Sequence, residues 1–263
     1  MKRVVYQGVE GSYSHMTAVR LFGTGAELVG LPQFADCIEA VETGEADEAL
    51  LAIENTLIGP IYEVLDLVGD SSLHVLGETA TRIEHCLLTL PETEIEQIKT
   101  VYSHPKALGQ CLKFFRKHPF LSPEAYVDTA AAAAFVAKKK DPSIAAIASR
   151  LAGSIHGLKV CLANLEDNPE NFTRFLLLSK EMGEGPKCTI RLTLKHEPGS
   201  LAKILTLISK EGVNVTSIIS RPLPGKPFEY AFYLDLETPS QSLLAEIEAQ
   251  AKSFRNLGRY GVL

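Results

Sequence analysis

No two of the chain's five cysteines lie close together. Cys37, Cys86, Cys111, Cys161 and Cys188 are an odd number spread over the whole sequence, which argues against a disulfide framework and against the paired ligands of a zinc site. They are expected as small buried apolar residues, the usual setting of a free thiol. Long apolar runs are missing as well: none reaches the roughly 18 residues that a membrane helix needs. The opening segment, residues 1–8, is basic and then apolar, but its apolar part stops at Gln7. That is too short for the core of a signal peptide; it reads as a first strand, and a cytoplasmic location is expected. Positive charge is not in excess. The 26 Lys and Arg are outnumbered by 32 Asp and Glu, a formal net charge of −6, so neither a nucleic-acid partner nor a membrane partner is expected. There is no Gly-x-Ser-x-Gly elbow, no His-Glu-x-x-His and no P-loop. Nothing demands a metal or an organic cofactor, and none is expected.

What is present fits one large and one small domain: 263 residues, 46% apolar and 22% charged, the balance of an ordinary globular chain. Strands and helices alternate through about the first 180 residues. Strands read at 4–6, 28–31, 49–53, 73–76, 86–90, 101–102, 144–148 and 174–178, and helices at 13–22, 34–42, 60–68, from Pro105, from Thr129 as a cap to about 138, and at 151–156. Such alternation predicts an α/β fold with parallel sheets covered by helices, in which ligands bind at the carboxyl ends of strands. Residues 180–187, polar and rich in Gly and Pro, read as a linker. The rest has a different rhythm: strands at 188–194, 213–219, 230–236 and 259–262, helices at 200–209 and 243–251. The order βαββαβ is the ferredoxin-like unit.

Polar residues recur where strands end. Gly8-Val9-Glu10-Gly11-Ser12-Tyr13-Ser14 follows the first strand and opens a helix, and exposed amides there attract anions. Asn55 and Thr56 follow a buried strand, Ser103 and His104 precede the proline that starts a helix, and Thr129 follows Asp128. Each alone is ordinary turn or cap chemistry; three such ends in one alternating domain point to a shared site for a polar small molecule. Thr173-Arg174-Phe175 enters a strand just after the loop 166–170. An arginine there is costly to bury alone, so Arg174 either holds a substrate carboxylate or pairs with Asp167. In the C-terminal unit, Gly199-Ser200-Leu201 lies where the first strand joins the first helix, Asn214 follows the helix-ending Gly212, and Ser220-Arg221-Pro222 ends the second strand. They read either as turn residues or as a small-molecule site.

Together these stretches resemble the prephenate dehydratase family over nearly the whole chain. The glycine loop 8–14, Glu54-Asn55-Thr56, Ser103-His104-Pro105, Asp128-Thr129-Ala130 and Thr173-Arg174-Phe175 occur in the family's order, and Pro198-Gly199-Ser200-Leu201 with Ser220-Arg221-Pro222 is similar to its ACT domain. The resemblance implies a two-lobed, periplasmic-binding-protein-like catalytic domain over residues 1–181, followed by an ACT domain at 186–263. Lobe one would take about 1–80 and 161–181, and lobe two about 81–160. It implies decarboxylating dehydration of prephenate to phenylpyruvate in phenylalanine biosynthesis, with Thr173 as the catalytic hydroxyl. Asn55, Thr56, Ser103, His104, Thr129, Arg174 and Phe175 would form the substrate site. It further implies a homodimer or homotetramer that binds L-phenylalanine as allosteric effector at Gly199, Ser200, Leu201, Asn214, Ser220, Arg221 and Pro222. The sequence departs from the family pattern at Thr56, where serine is usual, along Leu57-Ile58-Gly59-Pro60, and at Ile219, where glutamate is common. An arogenate dehydratase and a non-catalytic amino-acid sensor are the rival expectations.

Overall fold

The computed structural model describes all 263 residues. In chain order the first part contains β1 (Lys2–Gln7), α1 (Tyr13–Phe22), β2 (Ala26–Leu31), α2 (Phe34–Thr43), β3 (Glu48–Asn55), the two-residue β4 (Gly59–Pro60), α3 (Tyr62–Asp70) and β5 (His74–Arg82). It continues with β6 (Cys86–Thr89), a 3₁₀ turn (Ile95–Gln97), β7 (Thr100–Ser103), α4 (Pro105–Gly109), α5 (Leu112–Lys117) and β8 (Ser122–Ala125). Then come α6 (Thr129–Lys139), β9 (Ile144–Ala148), α7 (Arg150–Ile155), β10 (Lys159–Leu162) and β11 (Phe172–Ser179). The last part is β12 (Lys187–Thr193), α8 (Ser200–Lys210), β13 (Val215–Pro222), β14 (Tyr230–Glu237), α9 (Gln241–Gln250) and β15 (Ser253–Val262). No helix is long and apolar enough to cross a membrane.

The residues gather into two compact units. One holds Met1–Cys37, Glu54–Gly59 and Ala80–Arg174; the other holds Ile38–Ile53, Pro60–Thr79 and Phe175–Leu263. In the first unit β1 and β2 pair in parallel, and a five-stranded sheet runs in the order β10-β6-β9-β7-β8. Its core is built on small residues. Ala130, Ala132 and Ala133 of α6 face Ala146 and Ala148 of β9, Leu88 of β6 and Ala152 of α7. Alanine costs no side-chain entropy in a helix and lets the helix approach the sheet closely. Helices start on polar caps at the strand ends. Ser12 accepts from the His15 amide, and Ser149 from the Ala152 amide. The alanine-rich helix departs from expectation here, because Asp128, not Thr129, is its cap. Asp128 is extended and its carboxylate accepts from the Ala131 amide at 2.7 Å, which leaves Thr129 as the first helical residue. A carboxylate at that place also meets the positive end of the helix dipole.

In the second unit the sheet order is β13-β14-β12-β15-β5-β11-β3. The C-terminal βαββαβ unit is therefore present, with its strands antiparallel. Leu192, Ile190, Ile204, Ile208, Leu234 and Ile247 close its core. Its last strand is ten residues long, not four, and its tip pairs in parallel with β5 through Gly261 and Val262 opposite Gly77 and Glu78. Arg255 hides the beginning of that strand from a hydropathy reading: its guanidinium donates to the carbonyls of Val68, Gly69 and Leu73. Residues 183–185 are closely packed. A Cβ on Gly183 would stand 2.8 Å from the Arg259 carbonyl oxygen, and one on Gly185 2.1 Å from the Tyr260 carbonyl carbon. Glycine is required there by close backbone approach.

Four of the five cysteines, Cys37, Cys86, Cys111 and Cys188, are fully buried and all five are free thiols. Burial pushes the Cys37 and Cys86 thiols up to about 12, the behaviour of structural rather than reactive cysteines.

Candidate active site

The residues that converge are those at the ends of β3 and β11, in the first unit. Asn55 closes β3 and is buried. Its Oδ1 accepts from the amides of Leu57 and Ile58 at 3.0 and 3.1 Å. Its Nδ2 donates to Asn171 Oδ1 at 2.8 Å, to the Phe172 carbonyl at 3.0 Å and to Thr173 Oγ1 at 3.1 Å. Two backbone donors at one end and three oxygens at the other leave no freedom to exchange the amide's oxygen and nitrogen. The amide's two N–H protons serve three oxygens, so these contacts are shared. Thr173 Oγ1 can only accept from the amide, and its own proton is left for a partner outside the hydrogen bonds of the protein.

Strand geometry sorts the neighbours. Successive side chains in a strand point to opposite faces. Asn171 and Thr173 share the Asn55 face, while Arg174 lies on the other, with its Nη1 3.9 Å from Glu54 Oε2. Asp167, the alternative partner considered for Arg174, is engaged elsewhere. Its carboxylate accepts from the amides of Leu112 and Lys113, at 3.0 and 2.8 Å, and so caps α5 from a distant loop. Phe175 is only 1% exposed and packs as a core residue of the second unit.

The remaining expected site residues are placed as follows. The Thr56 hydroxyl donates to the Glu170 carbonyl at 2.8 Å and accepts from the Phe172 amide at 2.9 Å, locking the approach to Thr173. Ser103 is fully buried, its hydroxyl donating to the Ile147 carbonyl at 2.6 Å. His104 caps α4, its Nδ1 accepting from the Lys106 amide at 3.2 Å. Burial and Lys106 lower its pKa, while Asp128 acts in the opposite direction. No hydrogen bond joins Ser103, His104 or Thr129 to Asn55 or Thr173. In the glycine loop, the Gly11 amide donates to His15 Nδ1 at 3.0 Å and its carbonyl accepts from Ser149 Oγ at 2.6 Å. Gly11 has φ +84° and a Cβ there would lie 2.9 Å from the Ala152 Cα. Only glycine meets both conditions.

The structure adds residues that the sequence reading did not single out. Asn171 Nδ2 donates to Gln110 Oε1 at 3.2 Å, and the same oxygen lies 2.9 Å from His85 Nε2. His85 Nδ1 is 2.8 Å from the Tyr13 hydroxyl. Gln110 ends the helix that Ser103-His104-Pro105 begins, and Asn171 sits two residues before Thr173, on the same strand face. That spacing was the one available signal. Tyr13 lies within the glycine loop 8–14 but no pattern gives its side chain a role, and nothing in the sequence marks His85.

In the second unit, Ser200 and Leu201 line a pocket of about 130 Å³ with His196, Glu197, Phe228 and Tyr230. The α8 helix starts there on Gly199, at φ 83°, without a side-chain cap. Asn214 lies apart, its Nδ2 3.1 Å from Glu237 Oε2. Arg221, on β13, makes a bidentate pair with Asp66 of α3, Nε–Oδ1 3.0 Å and Nη2–Oδ2 2.5 Å, and stacks over the Tyr62 ring at 4.5 Å.

Fold and site define an enzyme of α/β architecture whose chain continues into a ferredoxin-like unit. The family model for prephenate dehydratase matches residues 4–183, and that for the ACT domain matches residues 189–252. The bifunctional chorismate mutase/prephenate dehydratase of Escherichia coli K12 is 36% identical over 272 residues, covering 98% of this chain and 70% of that protein. A chloroplastic arogenate dehydratase/prephenate dehydratase of Arabidopsis thaliana is 37% identical, with 99% and 73% covered. Among solved structures, a prephenate dehydratase from Arthrobacter aurescens in complex with L-Phe has a TM-score of 0.90 at 28% identity, with 98% of this chain and 89% of that chain covered. A quorum quenching acylase, GqqA, also has a TM-score of 0.90, at 30% identity, with 100% and 98% covered. The chain belongs to the prephenate dehydratase family, a family of carbon–oxygen lyases, and carries an ACT domain.

Proposed function

We propose that the protein converts prephenate to phenylpyruvate, with Thr173 as the catalytic residue and L-phenylalanine as feedback inhibitor. The observation that carries the reading is the Thr173 hydroxyl beside the Asn55 amide nitrogen, from which it can only accept, so that its proton is free for a substrate oxygen. Prephenate is a cyclohexadiene with two carboxylates and a ring hydroxyl. The electrons of the breaking carbon–carboxylate bond enter the ring as CO2 departs, the C–O bond breaks, and the leaving oxygen acquires a proton. Aromatisation drives the step. A threonine hydroxyl is a weak acid, so it acts by a positioned hydrogen bond to the departing oxygen. The two carboxylates need donors. Backbone amides of the glycine loop and the Thr129 hydroxyl at the start of α6 are assigned to them. Arg174, on the opposite strand face, is assigned to holding Glu54.

The same geometry serves arogenate, which differs in carrying an amino group in place of the side-chain ketone. The first experiment is therefore product formation from prephenate and from arogenate by the purified chain, without added cofactor or metal. A higher kcat/KM for prephenate is expected; a higher value for arogenate moves the assignment to the rival dehydratase, and no turnover of either leaves an amino-acid sensor. An acylase reading is less supported. A hydrolase of that class needs a nucleophile paired with a base, and here no serine, threonine or cysteine side chain hydrogen-bonds a histidine ring.

For phenylalanine, the support is the pocket beside α8. The uncapped helix start suits the carboxylate, Glu197 the ammonium, and Leu201, Phe228 and Tyr230 the ring. A homodimer or homotetramer is inferred from β13, the outer strand of its sheet, on which Ile218 is 48% exposed; a cytoplasmic location is part of the same proposal. The Arg221–Asp66 pair ties Ser220-Arg221-Pro222 to α3, the helix that follows Asn55 and its turn. Asp66→Asn is expected to leave uninhibited kcat within about twofold and to raise the phenylalanine concentration for half-inhibition at least about fivefold, the lower end of usual allosteric coupling. Unchanged inhibition would remove the pair from the coupling route.

A further inference from the structure

The side chains running from Thr173 into the interior form one hydrogen-bonded series: Thr173, Asn55, Asn171, Gln110, His85, Tyr13. All six belong to the first unit. Its polarity is decided at a single place. The Leu57 and Ile58 amides can only donate, so the Asn55 oxygen must face them. Asn55 then offers its nitrogen to Asn171, which must answer with oxygen and present its own nitrogen to Gln110. Gln110 answers with oxygen in turn, and that oxygen faces His85 Nε2. An acceptor there requires the proton on Nε2.

We propose that His85 is a positioning residue for Thr173, held as the Nε2–H tautomer with Nδ1 accepting from Tyr13, and that the series transmits its orientation to the catalytic hydroxyl. The proposal rests on the reading of Thr173 given above.

The surroundings agree with a neutral ring. His85 is 2% exposed. Burial lowers its pKa; the Gln110 hydrogen bond and the Glu166 carboxylate act in the opposite direction and are outweighed. Glu166 forms an ion pair, its Oε1 2.8 Å from Arg82 Nη2, while its Oε2 accepts from the His85 amide at 3.0 Å. The Tyr13 hydroxyl lies 2.8 Å from both His85 Nδ1 and the Glu84 carbonyl. With one proton to give, it can point at either, so Tyr13 is where the series can absorb a change of direction.

That gives a test at a distance. Asn55→Asp keeps the shape but replaces a donor by an acceptor. Asn171 and Gln110 would each turn over by 180° about the amide, Gln110 would donate to Nε2, and His85 would shift its proton to Nδ1, with Tyr13 donating to Glu84. The ring ¹⁵N and ¹H signals of His85 in the full-length protein report the tautomer directly, whether or not the enzyme turns over prephenate. Nε2–H in the native chain and Nδ1–H in Asn55→Asp are expected. Nδ1–H in the native chain, or an unmoved tautomer in the variant, would overturn the proposal.

The kinetic arm uses two replacements of His85 itself. A glutamine amide reaches the Nε2 position and an asparagine amide only the Nδ1 position. His85→Gln is expected to keep kcat within about threefold. His85→Asn is expected to lower kcat by about tenfold, with KM changed less than about twofold, because the loss is in orientation and not in substrate binding. Equal kcat values for the two, or a loss confined to KM, would count against the positioning role. Failure of the dehydratase reading would show instead as no turnover by any variant with the native tautomer intact.

Discussion

Thr173→Ala is expected to lower kcat for prephenate by about 10²-fold or more, the usual scale for one positioned proton-transfer group, while KM moves by no more than a few-fold. The structural basis is that the threonine contributes little to the frame around it. It accepts one hydrogen bond, from an amide that has two other acceptors, so its removal leaves no buried donor unpaired and the fold should keep its thermal midpoint within a few degrees. Thr173→Ser retains the hydroxyl and should recover most of the rate; Thr173→Val retains the shape without the donor and should behave as the alanine variant. Steady-state kinetics on the four proteins separate donor from shape. Near-native kcat in the valine variant would remove Thr173 from the chemistry.

Asn55 should show the opposite balance between stability and rate. Its buried side chain has five polar contacts, two on its oxygen and three shared by the two protons of its nitrogen. Asn55→Leu would take the side-chain partner from the Leu57 amide and from Asn171 Oδ1, while the Ile58 amide keeps the Asn55 backbone carbonyl at 3.3 Å; a buried group left unpaired costs about 1–3 kcal/mol. We expect several kcal/mol of lost stability in total by denaturant unfolding, by the same scale, together with loss of activity. Asn55→Asp separates the two effects. The carboxylate still accepts from the two amides and can take a proton from Thr173, so the fold is largely kept. The threonine hydroxyl then points at Asp in place of the substrate, and kcat should fall by about 10²-fold. A stable, fully active Asn55→Asp enzyme would show that the direction of the Thr173 proton does not matter.

Some residues of this candidate site stand out in the sequence, and for definable reasons. Asn55 reads from the sequence as a polar residue at a strand end, a place that turn and cap chemistry also fills, whereas Thr173 enters a strand and is marked out only by the family resemblance. The face of Arg174 followed from strand alternation only once Asn171 and Thr173 were seen to meet Asn55. The cap of α6 was misplaced by one residue because Asp and Thr both cap helices and stand side by side at 128 and 129. The β8 strand, exposed along its whole length, has no hydropathy alternation to find. Its place comes from backbone pairing with β7.

The sequence by itself determined the alternating α/β region, the βαββαβ unit after it and the burial of the cysteines, since periodicity and composition are local properties. Only the tertiary structure decided which strand ends share a network. Asn55 lies 116 residues from Asn171, and Gln110 lies 61 from it; a hydrogen bond over such separations depends on sheet order, which no local pattern encodes. The same holds for Asp66 and Arg221, 155 residues apart, and for His85, whose part in the series comes from a single proton fixed by two backbone amides at Leu57 and Ile58.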